Sequence, residues 1–435
     1  MINLSLTKTT MLKVRLDTKE IQFFSTILFI INPVLGLLTI SNFLFSNWTV
    51  NKHKLINLFI VFLSLFLGFI NSTKIPENDL NMYLGHFLLV EEYGFYEYLS
   101  VIQKEPLLYI FNFIFFPLLQ GSFSLYIITI TFISYLLFFQ AIRLFFLKIK
   151  APISLLVFGL FLAAFFPQLF SLSAHLIRQF IASSFFLYFA VNKIFYGKSK
   201  WWAAFCGVFT HGSSFLLFFL VSFTPLKKFK KNIILNILLI TALASYQFIA
   251  KILLQLFGEL NESVNYILKR ASSETTFDLG VFPTINYFFI TAIVVISFSS
   301  IKHIGKKFVK RSAQHTREGF EIDTNSLEKQ RLLLENNLFF FFLVMTIFSF
   351  FIIANLNQSE LSIRLFFYLF FFSPLVIPVF IYRFRAKALL SFLLSVIIII
   401  YFINRLAFGI WTYAPLIDIA TNTSFSYFFQ SSTSF

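Results

Sequence analysis

Eleven apolar runs shape this chain: near residues 21–44, 55–70, 122–142, 151–170, 176–192, 201–223, 232–257, 283–300, 338–356, 363–382 and 388–411. Most reach the roughly 17 to 25 residues that carry an α-helix across about 30 Å of hydrocarbon. Lipid cannot satisfy a bare backbone, so such runs must cross as helices. The expected fold is all-α: a polytopic integral membrane protein of about 10–12 transmembrane helices. Composition excludes the soluble alternative. The chain is 58% hydrophobic and only 12% charged, against about 25% charged in ordinary globular proteins. The lone cysteine, Cys206, lies in an apolar run. It rules out a disulfide framework and a cysteine metal site.

A net charge of +16 invites a nucleic-acid reading, but the placement of the charge argues against it. Of 35 Lys and Arg, 21 fall in 143–150, 193–200, 227–231, 302–331 and 383–387, all between apolar runs. That is the positive-inside pattern of cytoplasmic loops, which orient a membrane protein and meet anionic headgroups. The expected partners are membrane lipid, not nucleic acid. No small-residue cleavage site follows the first run, so a removed signal peptide is not expected.

The chain divides into a basic N-terminal segment (1–20), one transmembrane helical domain (21–411) and a polar C-terminal tail (412–435). The loop 71–106 holds six carboxylates against Lys74 and Lys104, and is expected outside. The loop 301–337 is strongly basic and expected in the cytoplasm. Parity then strains the simple count. The run 107–120, flanked by Pro106 and Pro117, reads as an interfacial or dipping helix. The run 201–223 lies between two basic stretches, so it reads as re-entrant, broken near His211–Gly212, unless one of those stretches is outside. The N-terminus must be outside if 21–44 crosses fully.

Ionisable residues inside apolar runs carry the chemistry, because a charge at the bilayer centre costs on the order of 2.5–3.5 kcal/mol on insertion scales. His175, Arg178 and Gln179 share one helix face by their spacing of three and four. Arg364 stands one turn before Tyr368. His211 is deep in a run, followed by Gly212 and two serines. Asp79 and Tyr83 sit near the start of the acidic loop, and Glu105 and Tyr109 at its far border. The bland reading of the arginines is snorkelling to headgroups, and that of His211 is a satisfied structural histidine. No second His or carboxylate stands at metal-ligand spacing, so no metal is expected. No Walker A or Rossmann fingerprint occurs, so no nucleotide cofactor is expected either. Arginine forks suit phosphate oxygens, and a carboxylate can act as general base on a hydroxyl. Together these residues suggest a lipid-linked diphosphate sugar handled at the outer leaflet.

Five short motifs stand in order over roughly residues 50–385: Asp79-x-x-x-Tyr83, Glu105-Pro106-Leu107-x-Tyr109, Ile177-Arg178-Gln179 with Ala182, His211-x-Ser213, and Arg364-x-x-x-Tyr368. In these the chain resembles the EpsG-like family of bacterial surface-polysaccharide polymerases, a branch of the Wzy-type proteins. It departs from the family in an extended N-terminus, and in Asn78 where the family shows a Gly-rich approach to the acid. The resemblance implies a GT-C-like glycosyltransferase in the bacterial cytoplasmic membrane, joining oligosaccharide repeat units carried on undecaprenyl diphosphate. It implies Asp79, Glu105 and His211 as catalytic candidates. Tyr83, Tyr109, His175, Arg178, Gln179, Arg364 and Tyr368 would be substrate-binding, and a chain-length regulator a possible partner. The alternatives are a flippase for the same lipid-linked sugar, which would show two similar halves, and a membrane acyltransferase, which would pair His211 with a carboxylate.

Overall fold

The computed structural model describes residues 17–45, 51–102, 106–223, 233–257, 281–316, 324–354, 359–409 and 412–429, with isolated positions between 265 and 272. No strand occurs among the described residues, and the chain is an all-α, polytopic membrane protein.

The first apolar run does not cross. It breaks into α1 (Thr18–Ile31) and α2 (Pro33–Phe45). Pro33 has no N–H to continue α1, and the Asn32 side chain instead accepts from the Leu35 N–H at 3.0 Å, opening α2. The two helices form a hairpin whose open ends both meet the start of α3 (Lys52–Ser72). Asn51 N–H donates to Thr18 Oγ1 at 3.0 Å, and Lys52 Nζ to the Leu44 carbonyl at 3.2 Å. The expectation that 21–44 places the N-terminus outside therefore lapses: α1 starts at the same end of the bundle as α3. Residues 1–16 lie outside the described residues.

After α3 the chain builds a layer of three short helices: α4 (Asp79–Leu88), α5 (Phe95–Ile102) and α6 (Pro106–Leu118). At 13 residues α6 is about 20 Å long, too short to span. The layer has its own small core of Val90, Tyr98 and Tyr109. Tyr98 Oη donates to the His86 carbonyl at 2.7 Å and accepts from Asn112 Nδ2 at 2.9 Å. Asn112 in turn accepts from Tyr126 on α7 (Phe123–Lys148), which ties the layer to one end of the bundle, the cap end. Burial pushes the Tyr98 phenol up to about 12, so it stays a neutral member of this network.

From there α7 runs back, α8 (Ile153–Phe165) returns, and α9 (Pro167–His175) continues it with a 50° bend. The bend follows from Pro167, which forces Phe166 extended and breaks the ladder. Next, α10 (Ile177–Tyr196) ends at Gly197, whose φ of +67° closes it in the left-handed conformation that glycine takes at no steric cost.

The run 201–223 breaks at His211, whose backbone is extended, into α11 (Trp201–Thr210) and α12 (Phe215–Ser222). Trp201 meets Phe189, and Phe218 returns to Phe186 and Phe189. The two short helices thus fold back on each other beside α10.

The remaining helices are α13 (Ile233–Ala244), α14 (Tyr246–Phe257), α15 (Val281–Ser297), α16 (Ile301–Thr316), α17 (Thr324–Ala354), α18 (Ser359–Phe370), α19 (Ser373–Ile381), α20 (Lys387–Phe408), α21 (Leu416–Thr421) and α22 (Ser424–Phe429). Gly159 lets α8 approach α19: a Cβ there would stand 2.8 Å from the Pro374 carbonyl oxygen, and small residues permit such close backbone contact in membranes.

Among the described residues five helices are long and apolar enough to cross: 52–72, 123–148, 285–313, 325–352 and 387–408. The bent pair 153–165 and 167–175 makes six. The expected 10–12 counted apolar runs, and five of those runs are split into short helices by Asn32–Pro33, Phe166–Pro167, His211, Ser245 and Phe371–Phe372. The stretch 301–337 is not a loop: α16 and α17 extend the neighbouring apolar helices through most of it. The C-terminal segment is not a plain polar tail either. Tyr427 is buried and stacks on Phe69 at 4.7 Å, Ser424 Oγ donates to the Phe29 carbonyl at 2.6 Å, and Asn32 Nδ2 donates to the Ala420 carbonyl at 2.7 Å.

Four of the five basic stretches gather at the end opposite the cap. Lys150 Nζ donates to Ser312 at 2.7 Å, Lys307 to the Tyr382 carbonyl at 3.1 Å, and Tyr196 Oη to the Leu144 carbonyl at 2.9 Å. The fifth, 227–231, lies outside the described residues.

Candidate functional site

Three of the candidate residues, Tyr83, His175 and Arg178, meet around the junction of α9 and α10 at the cap end. Leu176 interrupts the helix there and supplies no side-chain cap to α10. The first N–H groups of α10 therefore point out without intrahelical partners. Arg178 and Gln179 lie in that first turn. A cation gains nothing from a helix N-terminus, where the dipole is already positive. Position and charge together make an anion-attracting point.

Arg178 reaches the cap layer. Its Nε donates to Tyr83 Oη at 3.4 Å, and its guanidinium lies 6.0 Å from the centre of the Tyr83 ring. Burial holds the Tyr83 phenol above its ordinary range, against the pull of the arginine. Tyr83 is thus a neutral acceptor that aims Arg178. Asp79 stands one turn before Tyr83, in the first turn of α4, and is exposed.

The turn into α4 explains the departure at residue 78. Asn78 has φ +49° and ψ −121°, a positive-φ conformation that glycine enters at little cost and that residues with a side chain rarely adopt. The backbone a Gly-rich approach would supply is therefore present, made by an asparagine.

Below Arg178, His175 closes α9. Its Nδ1 lies 2.7 Å from Lys74 Nζ, and Lys74 is only 2% exposed. Burial pulls the Lys74 amine down to about 8, against the opposing effect of Glu77. A buried polar chain continues inward: Asn71 Nδ2 donates to Ser173 Oγ at 2.8 Å and to Thr131 Oγ1 at 3.3 Å, and Tyr135 Oη to Ser173 at 3.4 Å. Sequence reading missed Lys74 and this chain. The available signal was a lysine directly after a span and within a run of carboxylates, which reads equally well as an interfacial anchor.

On the other side of α10, Ser213 Oγ lies 3.1 Å from Tyr368 Oη. That contact joins the His211-x-Ser213 and Arg364-x-x-x-Tyr368 motifs across the bundle. His211 is half-buried as the C-cap of α11. Arg364 lies in α18 one turn before Tyr368. Gln179 is buried. Tyr109 is 1% exposed and packs edge-on to His86 and Tyr98, so it builds the cap rather than facing a ligand. Glu105 lies outside the described residues. No group of three or more His, Cys, Asp or Glu suited to a metal occurs among the described residues.

The arrangement can hold an anion at Arg178, with a second cation, Lys74, further inward and an exposed carboxylate, Asp79, at the surface. A family model described as the EpsG family matches residues 54–416, which covers α3 to the start of α21 and every motif above. No curated protein and no solved structure matches the chain.

Proposed function

We propose that this chain, which belongs to the EpsG family, is a surface-polysaccharide polymerase that joins lipid-linked oligosaccharide repeat units at the outer face of a bacterial cytoplasmic membrane. The observation that carries this reading is Arg178 in the uncapped first turn of α10, held by Tyr83 beside the exposed Asp79. A helix N-terminus does not itself stabilise a cation, and a guanidinium placed there adds to the positive end of the dipole that favours an anionic substrate.

In this reaction the donor is a growing glycan on undecaprenyl diphosphate. The terminal hydroxyl of a new repeat unit attacks the donor's anomeric carbon. The bond from that carbon to the diphosphate oxygen breaks, and the diphosphate leaves with its electron pair. Arg178 meets the developing negative charge, aided by the N–H groups of α10. Lys74 adds a positive field from beneath, while Arg364 serves as the second arginine of the clamp. Asp79 takes the hydroxyl proton, with Glu105 and His211 as the other acid–base candidates. A diphosphate is already a good leaving group, so the scheme needs no metal.

The test is a purified protein in liposomes given a lipid-linked repeat unit. The expected product is a ladder of lengthened glycans. Lipid moved across the bilayer with no ladder would replace this reading with a flippase.

A further inference from the structure

A second feature lies behind α9, away from Arg178. A cleft of about 630 Å³ opens between α2, α3, α8 and α20, with an almost wholly apolar wall that includes seven phenylalanine rings. One face of α20 follows it from Phe392 through Val396 and Ile399 to Leu406, about 21 Å at 1.5 Å per residue. That is about two thirds of a bilayer's hydrocarbon thickness. At the cap end Phe402 and Leu406 also line a second, smaller cavity of about 170 Å³. This one is polar at its rim, with Arg405, Gln168 and Ser171.

Arg405 does not cap its own helix. Its Nε donates to Tyr401 Oη at 3.4 Å, one turn back, and it forms no ion pair among the described residues. An apolar cleft that shares Phe402 and Leu406 with a cavity lined by a guanidinium suits a single-chain amphiphile with an anionic head. The head cavity is small and the channel is single, which suits one chain on a phosphate better than a diacyl glycerophospholipid.

We infer that the α2–α3–α8–α20 cleft, together with the adjoining cavity lined by Arg405, is a second lipid site, separate from Arg178, that takes the isoprenoid chain and phosphate of one lipid-linked substrate. The inference rests on the polymerase reading for its purpose: joining two lipid-borne glycans requires two chains to be held at once. The two headgroup positions are spaced along α9. Gln168 borders the Arg405 cavity and His175 borders the Arg178 side, about 10 Å apart along the helix axis, a separation that sugar units can bridge.

The test uses the full chain in nanodiscs with a polyprenyl monophosphate carrying a diazirine near its chain end and no sugar. Expected are cross-links to residues within 34–45, 59–70 and 392–406, removed by unlabelled polyprenyl phosphate but not by phosphatidylglycerol. Arg405→Gln should weaken this labelling by about tenfold, and Val396→Trp should block it by filling the channel. Labelling outside these segments, equal competition by phosphatidylglycerol, or full labelling of Arg405→Gln would each overturn the site. Because the probe has no sugar, the outcome is independent of polymerisation. Cleft labelling without a product ladder would leave this site standing and remove the polymerase reading. A ladder without cleft labelling would do the reverse.

Discussion

The two ends of the bundle use the same side chains for opposite purposes. At the basic end, Lys307 donates to the Tyr382 carbonyl and Arg311 to the Lys150 carbonyl. Those carbonyls belong to the ends of α19 and α7, where orphan acceptors and the negative end of the dipole welcome a cation. These basic residues staple helices. At the cap end Arg178 sits at a helix N-terminus, where the dipole opposes it, and is aimed by a neutral phenol. Charge alone does not separate the two cases. Which end of a helix a cation occupies does: Lys307 and Arg311 meet carbonyls at helix C-termini, while Arg178 stands at a helix N-terminus.

Each prediction challenges this contrast. The largest effect belongs to Asp79→Asn. Loss of a general base should lower the polymerisation rate about a thousandfold, with little change in KM. A rate within twofold of wild type would move the base to Glu105 or His211.

Next is Lys74. Its amine is held down to about 8, so it is a cation below that pH and neutral above it. Affinity for the diphosphate substrate should fall as pH rises through about 8, by roughly tenfold. In Lys74→Arg the step should vanish, because an arginine stays charged throughout. A wild-type KM that is flat from pH 7 to 9 would remove Lys74 from the site.

At the basic end, Lys307→Gln and Arg311→Gln should each cost about 1 kcal/mol of stability, read as a lower Tm, while product length stays as in wild type. The smallest effect is expected at Asn78. Asn78→Gly should change stability by less than about 1 kcal/mol, since glycine accepts positive φ. Asn78→Val should cost about 1–3 kcal/mol and lower activity with it.

Much of this was legible in the sequence. The apolar runs specify helices, and the loop charges specify two unequal ends. Four of the five basic stretches do meet at one end in the structure. The motifs were legible one by one, but the contacts of Arg178 with Tyr83 and of Ser213 with Tyr368 were not, since each joins motifs far apart in the chain. What hydropathy could not show is where a run turns back. Asn32–Pro33 reverses the chain inside an apolar stretch, because the reversal depends on which backbone groups find partners, and apolar content says nothing of that. Lys74 was hidden for a related reason. Its role depends on His175, about a hundred residues away, and on burial by the cap layer, neither of which a local pattern records. Tyr109 misled in the opposite sense, since an aromatic beside a candidate acid looks like a sugar platform but is consumed in packing the cap.

The most direct measurement is the length of product made by Arg178→Gln in liposomes beside Lys307→Gln and Arg311→Gln, with each variant's Tm. The account predicts about a hundredfold less product from Arg178→Gln, with a Tm equal to or above wild type, because an opposed dipole is relieved. The basic-end variants should keep the ladder and lose Tm. A full-length ladder from folded Arg178→Gln would contradict the claim that this end of α10 holds the diphosphate.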